Sequence, residues 1–170
     1  AVAELRGGRP LEPEESTNFT LGTFFNFGNL DVTIDFFKVD VEDRLNLSQN
    51  FQLTQEEIDD LIEQGITSAG NLQNFRFFAN DFDTETQGID VVATYTPPAL
   101  GGNTDFSFLF NFTETEVAKF NPDTLDATRI RELQEALPEV RYSLTAHHRL
   151  DNGLSFLGRL SFFDDWSSRS

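Results

Sequence analysis

Residues 104–113 read TDFSFLFNFT and show the most regular alternation of apolar and polar side chains in the chain. Phenylalanine occupies every second position from Phe106 to Phe112. Successive side chains of a β-strand point to opposite faces, so a period of two predicts a strand with one apolar and one polar face. This stretch therefore predicts an antiparallel sheet that exposes two chemically different surfaces.

The same alternation recurs in segments that are joined by short and long connections in turn. Short turns containing Gly28 and Gly153 join the first and the last pair, whereas residues 49–74 and 114–139 form long polar stretches. Short turns at one end and long loops at the other are typical of an up-and-down outer-membrane barrel. We therefore predict an all-β fold, an antiparallel up-and-down meander of about six strands. The predicted strands are residues 18–27, 30–41, 88–96, 104–113, 140–150 and 154–163, and extended structure is predicted to begin already at residue 75, ahead of the third of them.

Each long loop carries the signal of a short helix. Residues 54–57 read TQEE, a capping box in which the threonine is the N-cap and the last glutamate reaches back to it. In the other loop, Asp126 can cap a helix over residues 127–136. Apolar residues at helical spacing follow the first cap: Ile58, Leu61 and Ile62. The predicted organisation is an irregular lead-in (residues 1–15), a barrel segment (residues 16–166) and a tail (residues 167–170).

The charge of the chain excludes one large class of partner. The formal net charge is −17, with 12 basic and 29 acidic residues. A surface that binds nucleic acid needs clustered lysine and arginine to neutralise phosphates, so we expect no nucleic-acid partner. The chain has no cysteine, which removes disulfides and thiolate metal sites from consideration.

Three segments resemble sequence signatures of TonB-dependent outer-membrane receptors. They are residues 13–22 (PEESTNFTLG), residues 39–45 (VDVEDRL) and residues 80–90 (NDFDTETQGID). They follow one another in the order and at the spacing of that family, and residues 104–163 continue the same hairpin pattern. The resemblance implies the C-terminal part of an uptake barrel of the kind that imports iron chelates, cobalamin, sugars or peptides.

The resemblance also implies a location and a set of partners. The chain would be a fragment of a transport receptor in the outer membrane of a Gram-negative bacterium, with its long loops extracellular. Its partners would be outer-membrane lipid, the rest of the barrel, a plug domain and an inner-membrane energising complex. Even the smallest transmembrane barrels need about eight strands, so about six predicted strands leave two open edges. The alternative hypothesis is a barrel fragment that self-assembles through residues 16–27 and 154–163 into an extracellular structural filament.

Three carboxylates form the only metal-site candidate that the sequence offers. Asp81, Asp83 and Glu85 occupy alternate positions, so a strand would place them on one face. Carboxylate oxygens of this kind suit calcium, so calcium is the one cofactor considered. The ordinary alternative is that these carboxylates lie in water at the base of a loop and bind no metal, because the run lacks the glycine of an EF-hand loop.

No motif for catalysis is present in the sequence. It contains no G-x-S-x-G elbow, no phosphate-binding glycine loop and no H-E-x-x-H helix. His147 and His148 are the only histidines, and neighbours on a strand point to opposite faces, so they cannot bind one metal together. We expect a protein that is not an enzyme, with no catalytic residues and with His148 on the apolar face.

Overall fold

The computed structural model describes residues 3–71, 74–98, 101–135 and 137–165. Two helices, α1 (Gln55–Glu63) and α2 (Ala127–Glu135), and two 3₁₀ turns, Glu4–Arg6 and Thr67–Asn71, accompany its strands. Within these described residues, neither helix has the length and apolar character needed to cross a membrane. The predicted tail lies outside the described residues. The strands are β1 (Glu15–Asn26), β2 (Leu30–Leu47), β3 (Phe51–Gln52), β4 (Asn74–Phe75), β5 (Phe78–Tyr95), β6 (Gly102–Phe120), β7 (Val140–Leu150) and β8 (Ser155–Phe163).

The six long strands form one antiparallel sheet in the order β1-β2-β5-β6-β7-β8. The two-residue strands β3 and β4 pair separately within the first long loop. Gly28 (φ 72°) and Gly153 (φ 90°) adopt the left-handed conformation in the two shortest turns. Glycine reaches that conformation without strain, which explains why the chain can reverse there so tightly. The predicted six-stranded meander with a helix in each long loop is confirmed.

The register of β6, β7 and β8 places the alternating residues on two distinct faces. Phe106 lies opposite Ala146 and Phe108 lies opposite Leu144, which in turn lies opposite Leu160. The apolar face includes Phe106, Phe108, Phe110, Tyr142, Leu144, Ala146, Phe156, Leu160 and Phe162. The polar face includes Asp105, Ser107, Asn111, Arg141, Ser143, Thr145, Arg159 and Ser161, together with Leu109, Leu157 and Phe163.

The first hairpin has the same two faces. The rings of Phe19 and Phe36 lie 6.4 Å apart between their centroids, on the side that the sequence predicts to be apolar. At the turn, Asn26 donates a hydrogen bond of 2.6 Å from Nδ2 to Oδ1 of Asp31, on the other side. The alternation of β1 and β2 therefore places most apolar side chains on one side, while Phe24 and Phe37 lie on the polar side.

The chain divides into two compact units. Unit 1 contains α1, β3 and β4, and unit 2 contains β7 and β8. Unit 1 comprises Ala1–Ser16, Val41–Thr84 and Val117–Ile130. Unit 2 comprises Thr17–Asp40, Glu85–Glu116 and Arg131–Ser170.

Unit 1 has a small hydrophobic core around α1. Ile66 and Phe75 pack against this core and are themselves partly exposed. Ile62 is 40% exposed and does not belong to this core. Of the predicted apolar stripe of the helix, only Ile58 and Leu61 are therefore buried. The buried members of the core are Leu53, Ile58, Leu61 and Ala69.

The predicted capping box at the start of α1 is confirmed. The Thr54 hydroxyl accepts from the Glu57 N–H at 3.3 Å, and the Thr54 N–H donates to Glu57 Oε2 at 2.8 Å. Arg6 adds an ion pair of 2.6 Å from Nη1 to Glu57 Oε1. The hydrogen bond from Arg6 is the main reason that the pKa of Glu57 falls from 4.5 to about 2. The predicted cap of α2 is also present, since Asp126 Oδ1 accepts from the Arg129 N–H at 2.8 Å.

Two strands extend further than the alternation predicts. β2 continues to Leu47, and β6 continues to Phe120, inside the stretch predicted to be a loop. β5 begins at Phe78, within the extended structure that is predicted from residue 75. The extensions carry polar residues at consecutive positions, so they have no apolar stripe of period two. They are strands because their backbones pair, a property that hydrophobic patterning does not report.

Side chains replace part of the backbone hydrogen bonding in the extension of β2. Asp43 is the one non-glycine residue with a positive φ (53°) in the described part of the chain. Its N–H donates to Asp83 Oδ1 at 3.0 Å, and its carbonyl accepts from Asn80 Nδ2 at 2.5 Å. The Leu45 N–H donates to Glu14 Oε1 at 2.8 Å. This local irregularity resembles a β-bulge, with carboxylates and an amide in place of strand carbonyls.

Candidate functional site

The polar face of unit 2 contains a hydrogen-bonded network centred on Asn111. The register brings Asn111 of β6 directly opposite Arg141 of β7. Arg141 donates to Asn111 Oδ1 from Nε at 3.0 Å and from Nη2 at 2.6 Å. Asn111 Nδ2 in turn donates to Asp90 Oδ1 of β5 at 2.7 Å. The amide thus separates a carboxylate from a guanidinium and fixes the orientation of both.

An open hollow of about 500 Å³ lies on this face. Its charged lining residues are two carboxylates, Asp35 and Asp90, and two guanidinium groups, Arg141 and Arg159. Phe163 contributes apolar surface to the same hollow. A concave surface with a few converging polar groups and some apolar wall is the usual form of a small-molecule site.

The wall near this hollow is closely packed around Gly88 in β5. A Cβ atom at this position would overlap the Phe37 ring and the carbonyl oxygen of Phe112. Phe37 lies on the opposite side of β2 from Phe36, so its ring covers the glycine on the polar face. Glycine within a strand often marks such a close approach.

The apolar face of unit 2 is exposed. Phe156 is 60% exposed, Leu160 is 65% exposed and Leu144 is 47% exposed. All residues of the two outer strands, β1 and β8, are exposed. These are the strands that the sequence predicts as edges. Exposed apolar area on this scale marks a surface that meets another apolar phase or another protein.

The three predicted calcium ligands are placed differently from one another. Asp83 Oδ2 pairs with Lys119 Nζ at 2.8 Å, and Glu85 Oε2 pairs with Lys38 Nζ at 2.9 Å. Asp81 is 6% exposed and contacts neither lysine. No group of three His, Asp or Glu side chains in the described residues lies close enough to hold a metal ion. The calcium site therefore stays a prediction, without a gathered ligand set in this part of the chain.

The acidic side chains of unit 1 respond to their surroundings in opposite ways. Burial raises the pKa of Asp81, an effect that the Thr124 hydroxyl partly offsets. The Lys119 ammonium beside Asp83 lowers the pKa of that carboxyl, and the Asp43 N–H adds to the effect. Asp81 also lines an open pocket of about 720 Å³ together with Asn80.

His148 lies on the apolar face, as predicted. The register places it opposite Thr104 and Phe156. Its Nδ1 lies 2.8 Å from the Thr104 hydroxyl, and Thr104 is buried. The histidine is a packed side chain with one hydrogen-bond partner.

Asn111, Arg141 and Arg159 belong to no motif that marks them as site residues in the sequence. A signal for two of them was available in the short turn around Gly153, because equal steps away from this turn pair β7 with β8. The same counting places Ser143 opposite Ser161, as the structure has them. This counting does not predict the side-chain conformation that brings the Arg141 guanidinium to the Asn111 amide.

A meander sheet with an exposed apolar face and a polar face is consistent with a segment of an outer-membrane type of barrel. The family described as "TonB dependent receptor-like, beta-barrel" matches residues 1–169 of the chain. The chain belongs to this family, whose members are receptors and transporters of the Gram-negative outer membrane that work with a plug and with TonB. A search among curated proteins finds no match to the chain.

Proposed function

We propose that this chain forms part of the wall of an outer-membrane receptor that takes up a nutrient, such as an iron chelate, in an energised process. The apolar face would meet lipid and the polar face would line the barrel interior. The observation that carries the proposal is the register of β6, β7 and β8, which separates an exposed apolar face from a hydrogen-bonded polar face. Moving a large apolar side chain from water into an apolar phase stabilises by about 1.5–3 kcal/mol, so a membrane is a favourable environment for this face.

The connections support a receptor role for the other parts of the chain. The helix α1 packs into a core of its own within a long loop, and folded loops of this kind are common carriers of binding function. In the proposed receptor, such loops would contribute to ligand capture on the extracellular side. The plug and the inner-membrane energising complex would then act on the captured ligand.

The exposed outer strands favour a second candidate function. The unpaired backbone groups of an edge strand are a template for pairing with another chain. Copies that pair through β1 and β8 without closing would build an extracellular filament. In such a filament, the apolar face would contact protein rather than lipid.

A pair of neighbouring positions on β8 distinguishes the two candidates. Leu160 lies on the apolar face and Ser161 on the polar face, and the chain has no cysteine of its own. Leu160→Cys and Ser161→Cys variants are labelled with a polarity-sensitive fluorophore and reconstituted in lipid vesicles. For the receptor wall, we expect a blue-shifted emission at position 160 that nitroxide-labelled lipid quenches, and much weaker quenching at position 161.

The opposite results are equally informative. Equal quenching at both positions, or none at position 160, would contradict lipid contact by the apolar face. Regular fibres in detergent-free buffer, with position 160 protected from an added aqueous quencher, would favour the filament. Uptake itself is tested by growth of cells on a ferric chelate with and without an intact gene for this chain.

A further inference from the structure

Two arginines on the polar face of unit 2 have no carboxylate partner among the described residues. Arg141 bonds to the neutral Asn111 amide, and Arg159 donates from Nε to the Thr145 hydroxyl at 3.2 Å. Elsewhere in the chain, Lys38 and Lys119 each contact a carboxylate. Acidic residues outnumber basic ones 29 to 12, so these two guanidinium groups do not lack a carboxylate partner for want of carboxylates in the chain. Their donors are therefore available to something outside this part of the chain.

The bonds that these arginines make leave the same part of each guanidinium free. Arg141 uses Nε and one hydrogen of Nη2, and Arg159 uses only Nε. In both cases the edge formed by Nη1 and Nη2 retains donors. This edge binds a carboxylate through two parallel N–H···O bonds, which is the strongest and most directional pairing that arginine makes.

The register places two hydroxyl groups between the arginines. Ser143 lies opposite Ser161, whereas Arg141 lies opposite Phe163 and Arg159 lies opposite Thr145. The Cα atoms of the arginines are thus roughly 14 Å apart, from four residues of strand rise and one strand spacing. Both serines and both arginines line the hollow of about 500 Å³. The arrangement has a guanidinium at each end and hydroxyl donors in the middle.

From these observations, we infer that Arg141, Ser143, Arg159 and Ser161 form a binding site for a small molecule that carries two carboxylates. Each guanidinium would hold one carboxylate, and the serine hydroxyls would bond to polar groups between them. The carboxylates of Asp35 and Asp90 line the hollow from β2 and β5, so they would exclude a diacid from that side. Asn111 is a positioning residue that holds Arg141 in place. The site does not require the receptor role, but in the proposed receptor it would face the interior and define the class of ligand.

The test uses the protein as its own cells produce it, purified in detergent micelles. The probe is glutarate, a five-carbon dicarboxylate, and the matched neutral probe is glutaramide, its diamide. Calorimetric titration is expected to show saturable binding of glutarate and none of glutaramide. Inorganic phosphate carries its charge on one centre and reaches only one arginine, so we expect weaker binding.

The variants separate this site from general effects of charge. Arg141→Gln and Arg159→Gln are each expected to weaken glutarate binding by about tenfold or more, since each removes a charge-assisted pair. Arg149→Gln is the matched control, because Arg149 lies on the same strand and face as Arg141 but does not line the hollow. Arg159→Lys is expected to be intermediate, because lysine keeps the charge but loses the fork.

Four results would overturn the inference. They are equal binding of glutaramide, phosphate binding as tight as that of glutarate, equal weakening by Arg149→Gln, and no weakening by Arg159→Gln. Arg159 is exposed and bonds only to Thr145, so its substitution leaves the fold intact even if Arg141→Gln does not. The fluorophore experiment on β8 reports the membrane role separately. Glutarate binding without lipid quenching would therefore retain the site and reject the receptor wall.

Discussion

The substitution Leu61→Ala is expected to destabilise the core of unit 1 by about 3 kcal/mol. Leu61 is 2% exposed and packs with Ile58 and Ala69. Truncating a buried leucine to alanine costs about 2.7–5 kcal/mol, and the cost increases with the cavity that remains. The lower part of that range applies because the partly exposed Ile66 and Phe75 can move into the space. A loss of this size raises the population of the open loop by about a hundredfold.

Hydrogen exchange of the amides in α1 and in the turn after it measures this effect directly. The Ile58 N–H donates to the Thr54 carbonyl at 3.0 Å, and the Ile66 N–H donates to the Leu61 carbonyl at 2.9 Å. Both protons should exchange about a hundredfold faster in Leu61→Ala. Ile62→Ala is the matched control on the same helix, because Ile62 is 40% exposed and should cost well under half as much. Equal acceleration in the two variants would refute a core centred on Leu61.

Two further perturbations have defined outcomes. Gly88→Ala should destabilise the sheet by about 1–3 kcal/mol in urea titrations, because its Cβ would overlap the Phe37 ring. Gly158→Ala, where a Cβ would meet open space, should have almost no effect, and equal losses would contradict the packing argument. The pair between Arg6 and Glu57 stabilises α1 while Glu57 is charged, so it should act fully above pH 4.5 and be lost as pH falls towards about 2. Exchange of the α1 amides should accelerate across that window in the native chain and change less in Glu57→Gln; an unchanged rate in the native chain would rule out the contribution.

Local chemistry in the sequence was sufficient to predict the turns, the caps and the two faces. The capping box of Thr54 and Glu57 forms because both partners lie within one helical turn, so no distant contact is needed. The alternation from Phe106 to Phe112 defines a face for a similar reason, since it depends only on the geometry of one strand. These features are determined by residues that are close together in the chain.

The extended ends of β2 and β6 required information that the pattern does not carry. Asp43 lies in the extension of β2, and Lys119 lies in the extension of β6. Asp83 is held in place by Lys119 and Asp43, which are distant in the sequence. The helix α1 gives a second example, because helical spacing includes Ile62 but packing decides that it is exposed.

The candidate site combines both kinds of information. The register of β7 and β8 follows from a short turn, and this fixes which residues share the polar face. The bond from Arg141 to Asn111 depends on side-chain conformation across two strands. The sequence could therefore have indicated a row of polar residues but not two guanidinium edges left free for a ligand.

Because side chains hold the main chain of β2 around Asp43, the path of this strand is sensitive to mutation. A regular strand ladder is built from main-chain atoms that every amino acid possesses, so substitutions seldom alter it. Here the main chain of Asp43 and Leu45 is held by Asp83, Asn80 and Glu14. A single codon change at any of these three residues would therefore remove a hydrogen bond from the main chain of β2 without shortening the polypeptide.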